Sequence, residues 1–353
     1  MPVRTGVRAA TIALLATGVV AVLVANASAA FPGANGSIAF TTYYLDENEN
    51  IYAIEPDGTA LRRLTSDTGF DDDAAWSPNG RRIAFASNRA HPEVACEGSH
   101  PRCDYDIYVM NADGSNVRRL TDDPASEREP AWSPDGTRIV FTSTRDEAGV
   151  PPNDVYNAEL YVMNADGSNQ TRVTNDPGVD TQPAWSPDGT RIAFRRGPCE
   201  FNCLIHVYSV APNGSALTQL TDAATRDRKP DWRPDGARIV FQREDFSNGF
   251  WTMNPDGTDQ SRIFGQHLDP SWSPDATKIA FGYPGIGHMN PDGGFARTIN
   301  ASGGEKPDWQ PRVGPQPGDY DSAVAFCRAE REFLGEAEFR AVYRNFGGCV
   351  SRA

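Results

Sequence analysis

Residues Pro183–Phe194 read PAWSPDGTRIAF. A short apolar piece ending in Trp meets a Pro-Asp-Gly turn, and Ile-Ala-Phe leaves it as a second strand. Near copies recur along the chain and place Trp at Trp76, Trp132, Trp185, Trp232, Trp272 and Trp309. The intervals shrink through 56, 53, 47, 40 and 37 residues. Four strand-like pieces fill each interval. Piece A ends in the Trp, as in Pro130-Ala131-Trp132. Piece B follows the turn, as in Ile139-Val140-Phe141, and piece C is Leu160–Met163 or Ile107–Met110. Piece D is Arg118-Arg119-Leu120-Thr121 and its echoes. Gly-containing turns join A to B and C to D. Four short strands about every 40–45 residues define a propeller blade rather than a solenoid turn.

The order of pieces predicts how the ring closes. The first copy begins at B, Ser37–Phe40, and the last ends at A, Pro307-Asp308-Trp309. With A innermost, the first blade takes its A strand from the far end of the chain. Proline two residues before Trp, in five of the six copies, suits a strand with one unpaired edge. The expected fold is therefore all-β: a six-bladed propeller closed by a C-terminal innermost strand, followed by a small helical hairpin. In domain terms this is a secretory signal at 1–30, the propeller at 31–311, a linker at 312–319 and the hairpin at 320–353.

The run N-x-D-G-S-x-x-R-L-T … P-x-W-S-P-D-G-x-x-I-A-F resembles the WD40-like repeat of TolB-type propellers, over about Gly36 to Pro311. The resemblance implies the propeller alone, without the α/β domain that precedes the ring in TolB, and so does not carry a Tol–Pal role over to this chain. It also implies that enzymes are possible relatives, since some such propellers are lyases using a histidine and a metal, and others carry a hydrolase domain.

Arg4 and Arg8 before the apolar run Ala10–Ala25, then Ala27-Ser28-Ala29-Ala30, read as an export signal. A secreted or envelope location follows, with no membrane insertion after cleavage. Six cysteines in an exported chain suggest disulfides, in the local pairs Cys96/Cys103, Cys199/Cys203 and Cys327/Cys349. Zinc is the rival reading, with His91 and His100 flanking the first pair, but no C-x-x-C spacing supports it. In the tail, Pro311–Gly318 reads as a linker. Asp321 or Ser322 caps a helix bearing Val324, Phe326 and Phe333, and a second helix carries Phe339, Val342 and Tyr343.

The formal net charge is −14, which excludes nucleic acid as a main partner and favours a basic protein or peptide. Tight turns occupy one face of the ring. The other face holds the B–C and D–A loops and every length change: Phe85 to Tyr108 spans 23 residues, Phe241 to Trp251 only 10. This loop face is acidic, with Asp72, Asp104, Asp106, Asp154, Asp46, Glu47 and Glu49. Residues three and five before Trp are Asp73/Asp71, Glu129/Glu127 and Gln182/Asp180, then Lys229/Asp227, Asp269/His267 and Lys306/Gly304. They are expected to ring the channel mouth and form the docking site: Asp71, Asp73, Glu127, Glu129, Asp180, Asp227, His267 and Asp269. Solvation of loops is the plainer role for the same carboxylates.

No G-x-S-x-G, H-E-x-x-H or P-loop pattern occurs. The histidines His91, His100, His206, His267 and His288 share no ligand spacing. No metal site or cofactor is expected, and calcium is the one cation left open, without a D-x-D-x-D-G loop to hold it. The Trp rows read as packing between blades. The expected function is thus a monomeric, non-enzymatic binding propeller. The alternative is an enzyme acting on an extracellular oligosaccharide through the mouth histidine His267 and a divalent metal.

Overall fold

A computed structural model describes residues 33–42, 45, 48–90, 104–146, 157–198, 203–244, 248–265, 267–283, 285–300 and 302–312, with 324, 327 and 328. They form six four-stranded antiparallel sheets, each running outward from its Trp strand. The second blade runs Asp71–Trp76, Arg82–Ser87, Asp106–Asn111, Arg118–Arg119, and the third runs Glu127–Trp132, Arg138–Ser143, Glu159–Asn164, Thr171–Arg172. The fourth begins at Val179–Trp185, the fifth at Arg226–Trp232 and the sixth at Leu268–Trp272. In the first blade Glu305–Arg312 lies innermost, beside Ala34–Thr42, with Ile38 opposite Trp309 and Ala39 opposite Asp308.

The repeat Ile-Ala-Phe explains how blades stack. Side chains alternate across a strand, so Ile83 and Phe85 face the first blade while Ala84 faces the third. The small residue leaves room for the next blade's Trp. Ala84 shares a buried cluster with Trp132, Val140 with Trp185, Ala193 with Trp232 and Val240 with Trp272. Ala280 meets Trp309, and Ala39 meets Trp76. The six apolar clusters each lie between neighbouring blades, so the core is a ring, and the pair of first and sixth blades is sealed like the others.

Polar repeat residues set the strand ends. In the A–B turn, Asp135 Oδ1 accepts from the Thr137 N–H at 3.0 Å and the Ser133 hydroxyl at 2.6 Å. Gly136 closes the same turn, its N–H on Ser133 O and its φ at 68°. The Thr of Arg-Leu-Thr stops the outer strand. Hydroxyls of Thr65, Thr121, Thr174 and Thr221 accept the N–H groups of Ile51, Ile107, Leu160 and Val207 at 2.9–3.0 Å, replacing a backbone carbonyl.

The segment 1–30 and residues 313–319 of the linker lie outside the described residues, whereas Pro311 and Arg312, expected at the start of the linker, belong to the closing strand; the hairpin also lies outside apart from Val324, Cys327 and Arg328, which are helical. Of the six cysteines, Cys96, Cys103, Cys199 and Cys349 lie outside the described residues. The expected bridge Cys96/Cys103 therefore falls wholly outside them, and Cys199/Cys203 and Cys327/Cys349 each fall outside by one partner. Cys203 and Cys327 are described and both are disulfide-bonded, so neither is a free thiol or a zinc ligand. Asp46, Glu47, His91, His100 and Asp154 also lie outside.

Candidate functional site: the channel mouth and its interior

Each inner strand bulges before its Trp. The register shifts between Asp72 and Ala75, Arg128 and Ala131, Thr181 and Ala184, Arg228 and Asp231, and Leu268 and Ser271. Proline occupies the bulge in every blade but the second, where Ala74 stands, because a ladder N–H is not required there. The residue before it turns left-handed: φ is 53° at Asp73, 54° at Glu129, 59° at Gln182, 52° at Lys229, 55° at Asp269 and 51° at Lys306. This conformation costs a non-glycine residue energy and recurs around the ring because each side chain is held.

What holds them is the next blade. Glu129 Oε2 accepts the Gln182 N–H at 2.7 Å, Gln182 Oε1 accepts the Lys229 N–H at 2.9 Å, and Asp269 Oδ2 accepts the Lys306 N–H at 3.2 Å. Thus the residues three before Trp do encircle the mouth, and they stitch neighbouring blades together there. Lys229 Nζ lies 3.6 Å from Asp269 and Lys306 Nζ 2.8 Å from Asp73, so the ring is mixed in charge.

The residues five before Trp do not face the mouth. Asp71, Glu127, Asp180 and Asp227 are 0% exposed. Each meets an arginine of its own blade: Arg89 at 2.7 Å, Arg145 at 3.0 Å, Arg196 at 2.6 Å and Arg243 at 2.7 Å. Every one of these guanidinium groups lies over two rings, such as Phe141 and Tyr161 for Arg145, or Phe241 and Trp251 for Arg243. Burial pushes Glu127 up to about 7 and Asp180 up to about 6, against the pull of the arginines. The expectation that these four carboxylates form a docking surface is corrected: they are spent inside the blades. In the sixth blade His267 replaces the pair, stacking on Phe281 with ring centres 4.0 Å apart and its Nδ1 3.1 Å from Tyr283 O.

Below the mouth the inner strands enclose an axial cavity of ≈ 190 Å³. Its wall one residue before Trp is Ala75, Ala131 and Ala184 on one side and Asp231, Ser271 and Asp308 on the other. Asp231 Oδ2 accepts the Trp272 N–H, and Asp308 Oδ2 the Trp76 N–H, each at 2.6 Å. Neither carboxylate is in an ion pair with a described residue. Burial pushes both up to about 7, with Asp308 adding to the rise at Asp231. Sequence reasoning missed these two. The signal was present: the residue before Trp changes from Ala in three consecutive repeats to Asp, Ser and Asp in the next three. Among the described residues no group of three or more His, Cys, Asp or Glu is placed to hold a metal. No described helix is long and apolar enough to cross a membrane.

Six radial sheets around one channel, closed by the two ends of the chain, define a six-bladed β-propeller. Residues 150–311 match the family described as the TolB beta propeller domain, and the chain carries a TolB-type propeller. An uncharacterized protein of Agrobacterium fabrum is 30% identical over 154 residues, which is 43% of this chain and 48% of that protein. A protein TolB homolog of Chlorobium luteolum is 29% identical over 185 residues, covering 43% of this chain and 40% of that one. The chain therefore spans less than half the length of these curated relatives. The crystal structure of TolB from Acinetobacter baumannii superposes with a TM-score of 0.60 at 19% identity, over 78% of this chain and 67% of that chain, a likeness of fold.

Proposed function

We propose that this propeller is a non-enzymatic binding scaffold, working outside the cytoplasm, that receives a basic segment of a protein or peptide partner at the channel mouth. The observation that carries this reading is the pair Asp231 and Asp308. The acids five before Trp in blades two to five are matched by an arginine, whereas these two line the channel without an ion pair to a described residue. Two carboxylates in a narrow, half-apolar passage favour an incoming ammonium or guanidinium, because attraction is stronger where water is scarce. Asp73, Glu129 and Asp269 at the rim add attraction on the way in, while Lys229 and Lys306 restrict it to one side. Extracytoplasmic location rests on the amino-terminal signal pattern.

The test is a titration of the full mature chain with a short lysine-rich peptide, monitored by calorimetry. Binding is expected to weaken at least about tenfold in Asp231→Asn/Asp308→Asn and to hold in Asp135→Asn, on the turn face. Equal affinity in all three proteins overturns the reading.

A further inference from the structure

The fold holds guanidinium and ammonium groups of its own, and it builds the two kinds of site differently. The four arginines that meet the buried acids each present the Nε–Nη2 edge to two acceptors. Arg196 and Arg243 find both oxygens of one carboxylate, Asp180 at 2.6 and 2.5 Å and Asp227 at 2.7 Å each. Arg89 and Arg145 find a serine hydroxyl 2.9 Å from Nε and a carboxylate oxygen at Nη2. All four also lie over two aromatic rings. The ammonium of Lys306 is held otherwise: it takes single oxygens from two acids, Asp72 Oδ2 and, at 2.8 Å, Asp73 Oδ1. The contrast follows from shape. A guanidinium is a flat fork that wants two coplanar acceptors and a ring beneath it, whereas an ammonium is a point charge with three donors fanned apart.

The channel wall has the second construction. Asp231, Ser271 and Asp308 stand in adjacent blades, one residue before Trp in each, and offer oxygens from separate side chains. Oδ2 of each aspartate is committed at 2.6 Å to a tryptophan N–H of another blade, so neither presents a free two-oxygen edge to a guanidinium. The six tryptophans at the wall offer no ring face, being at most 4% exposed and spent on blade packing. Opposite, Ala75, Ala131 and Ala184 leave an apolar strip for a methylene stem. At ≈ 190 Å³ the cavity falls below the roughly 300–1,000 Å³ of a small-molecule pocket and suits one side chain. The wall is also short of a donor: Asp73, which lines it, is buried with Oδ2 accepting no hydrogen bond, Arg128 Nε lying too far at 3.7 Å. Resting on the reading of the channel as a cation site, we infer that it selects a primary ammonium on an unbranched methylene stem, the head of a lysine rather than of an arginine. The three donors divide among Asp231, Ser271 and Asp308 as those of Lys306 divide between Asp72 and Asp73, with the stem on the alanine side.

Calorimetric titration of the full mature chain with three probes tests this: a lysine-rich peptide, the same peptide with arginine at every lysine, and n-butylamine. The lysine peptide is expected to bind at least about tenfold more tightly than the arginine peptide, and at least about tenfold more tightly than n-butylamine. In Asp231→Asn/Asp308→Asn the two peptides are expected to bind equally weakly. An arginine peptide that matches or exceeds the lysine peptide overturns the selectivity, and if the double variant weakens both, the cation site itself stands. Binding of neither peptide, or binding of both that the double variant leaves unchanged, overturns the reading of the channel and this inference with it. n-Butylamine bound as tightly as the lysine peptide overturns the lysine assignment in favour of free alkylamines. The comparison of the peptides needs no variant, so it decides the selectivity whether or not the double variant folds.

Discussion

Arg243 donates from Nε and Nη2 to the two carboxylate oxygens of Asp227, at 2.7 Å each, while its guanidinium lies 4.6 Å from the centre of the Trp251 ring. Both partners are buried. Removing one leaves the other charged and dry, whereas removing both leaves a polar gap. Asp227→Asn and Arg243→Leu are each expected to cost about 3–5 kcal/mol, with the double variant costing less than the sum. Urea unfolding of the four proteins measures this. Asp73→Asn, at the rim, is expected to cost less than Asp227→Asn.

Ala193 sits between the fourth and fifth blades in the cluster that contains Trp232. Its methyl is the space the indole needs. Ala193→Leu is expected to destabilise by about 1–3 kcal/mol through overpacking, and Trp232→Ala by about 3–5 kcal/mol through the cavity it leaves. A thermal melt showing no loss for Ala193→Leu would contradict the stacking scheme.

Gly257 takes φ of 86° in the C–D turn of the fifth blade, and a Cβ there would lie 2.3 Å from Leu220 O of the fourth. That oxygen is backbone and cannot swing aside. Gly257→Ala is expected to destabilise by about 2 kcal/mol or more, combining strain with blade separation. Gly294→Ala, which meets the side chain of Asp292 rather than backbone, is expected to cost less under the same denaturant series.

Asp231 and Asp308 are raised by burial from 3.8 to about 7. The folded ring holds protons that the unfolded chain has lost, so stability falls as pH rises from about 4 to about 7, then levels off. Asparagine at either site still accepts the tryptophan N–H without carrying charge. Asp231→Asn and Asp308→Asn are expected to be more stable than the parent at pH 8 by about 1–2 kcal/mol, less than the full shift implies because both residues are only partly buried. At pH 4 the gap is expected to close. Calorimetric melts across that range decide the matter, and a gap that grows toward low pH would contradict the assignment.

The ring was legible because a propeller states its period six times over. Trp, Pro-Asp-Gly and Ile-Ala-Phe each answer to one packing need, the indole, the tight turn and the large-small-large alternation, so their spacing reports the blade directly. The partners of Asp71, Glu127, Asp180 and Asp227 were not legible in the same way. Their arginines stand four residues after the Phe in the second and third blades, at Arg89 and Arg145, but two after it in the fourth and fifth, at Arg196 and Arg243. Without the cross-strand register, one interaction with two spacings reads as scattered charge. Counting back from Trp also ignores the bulge. It separates Asp73, which lines the cavity, from Asp71, which is buried in its blade beside Arg89. Asp231 and Asp308 were hidden differently: the change from Ala to Asp, Ser and Asp before Trp stands in the repeats, but only the six inner strands side by side put those residues on one channel wall.

The most direct measurement is a carboxyl carbon NMR titration of Asp231 and Asp308, with and without a lysine-rich peptide. The account predicts midpoints near 7 in the free protein, both moving down by at least about one pH unit when the peptide is added, because an ammonium in the channel favours the charged form. Midpoints near 4 in the free protein, or midpoints near 7 that the peptide leaves in place, would contradict it.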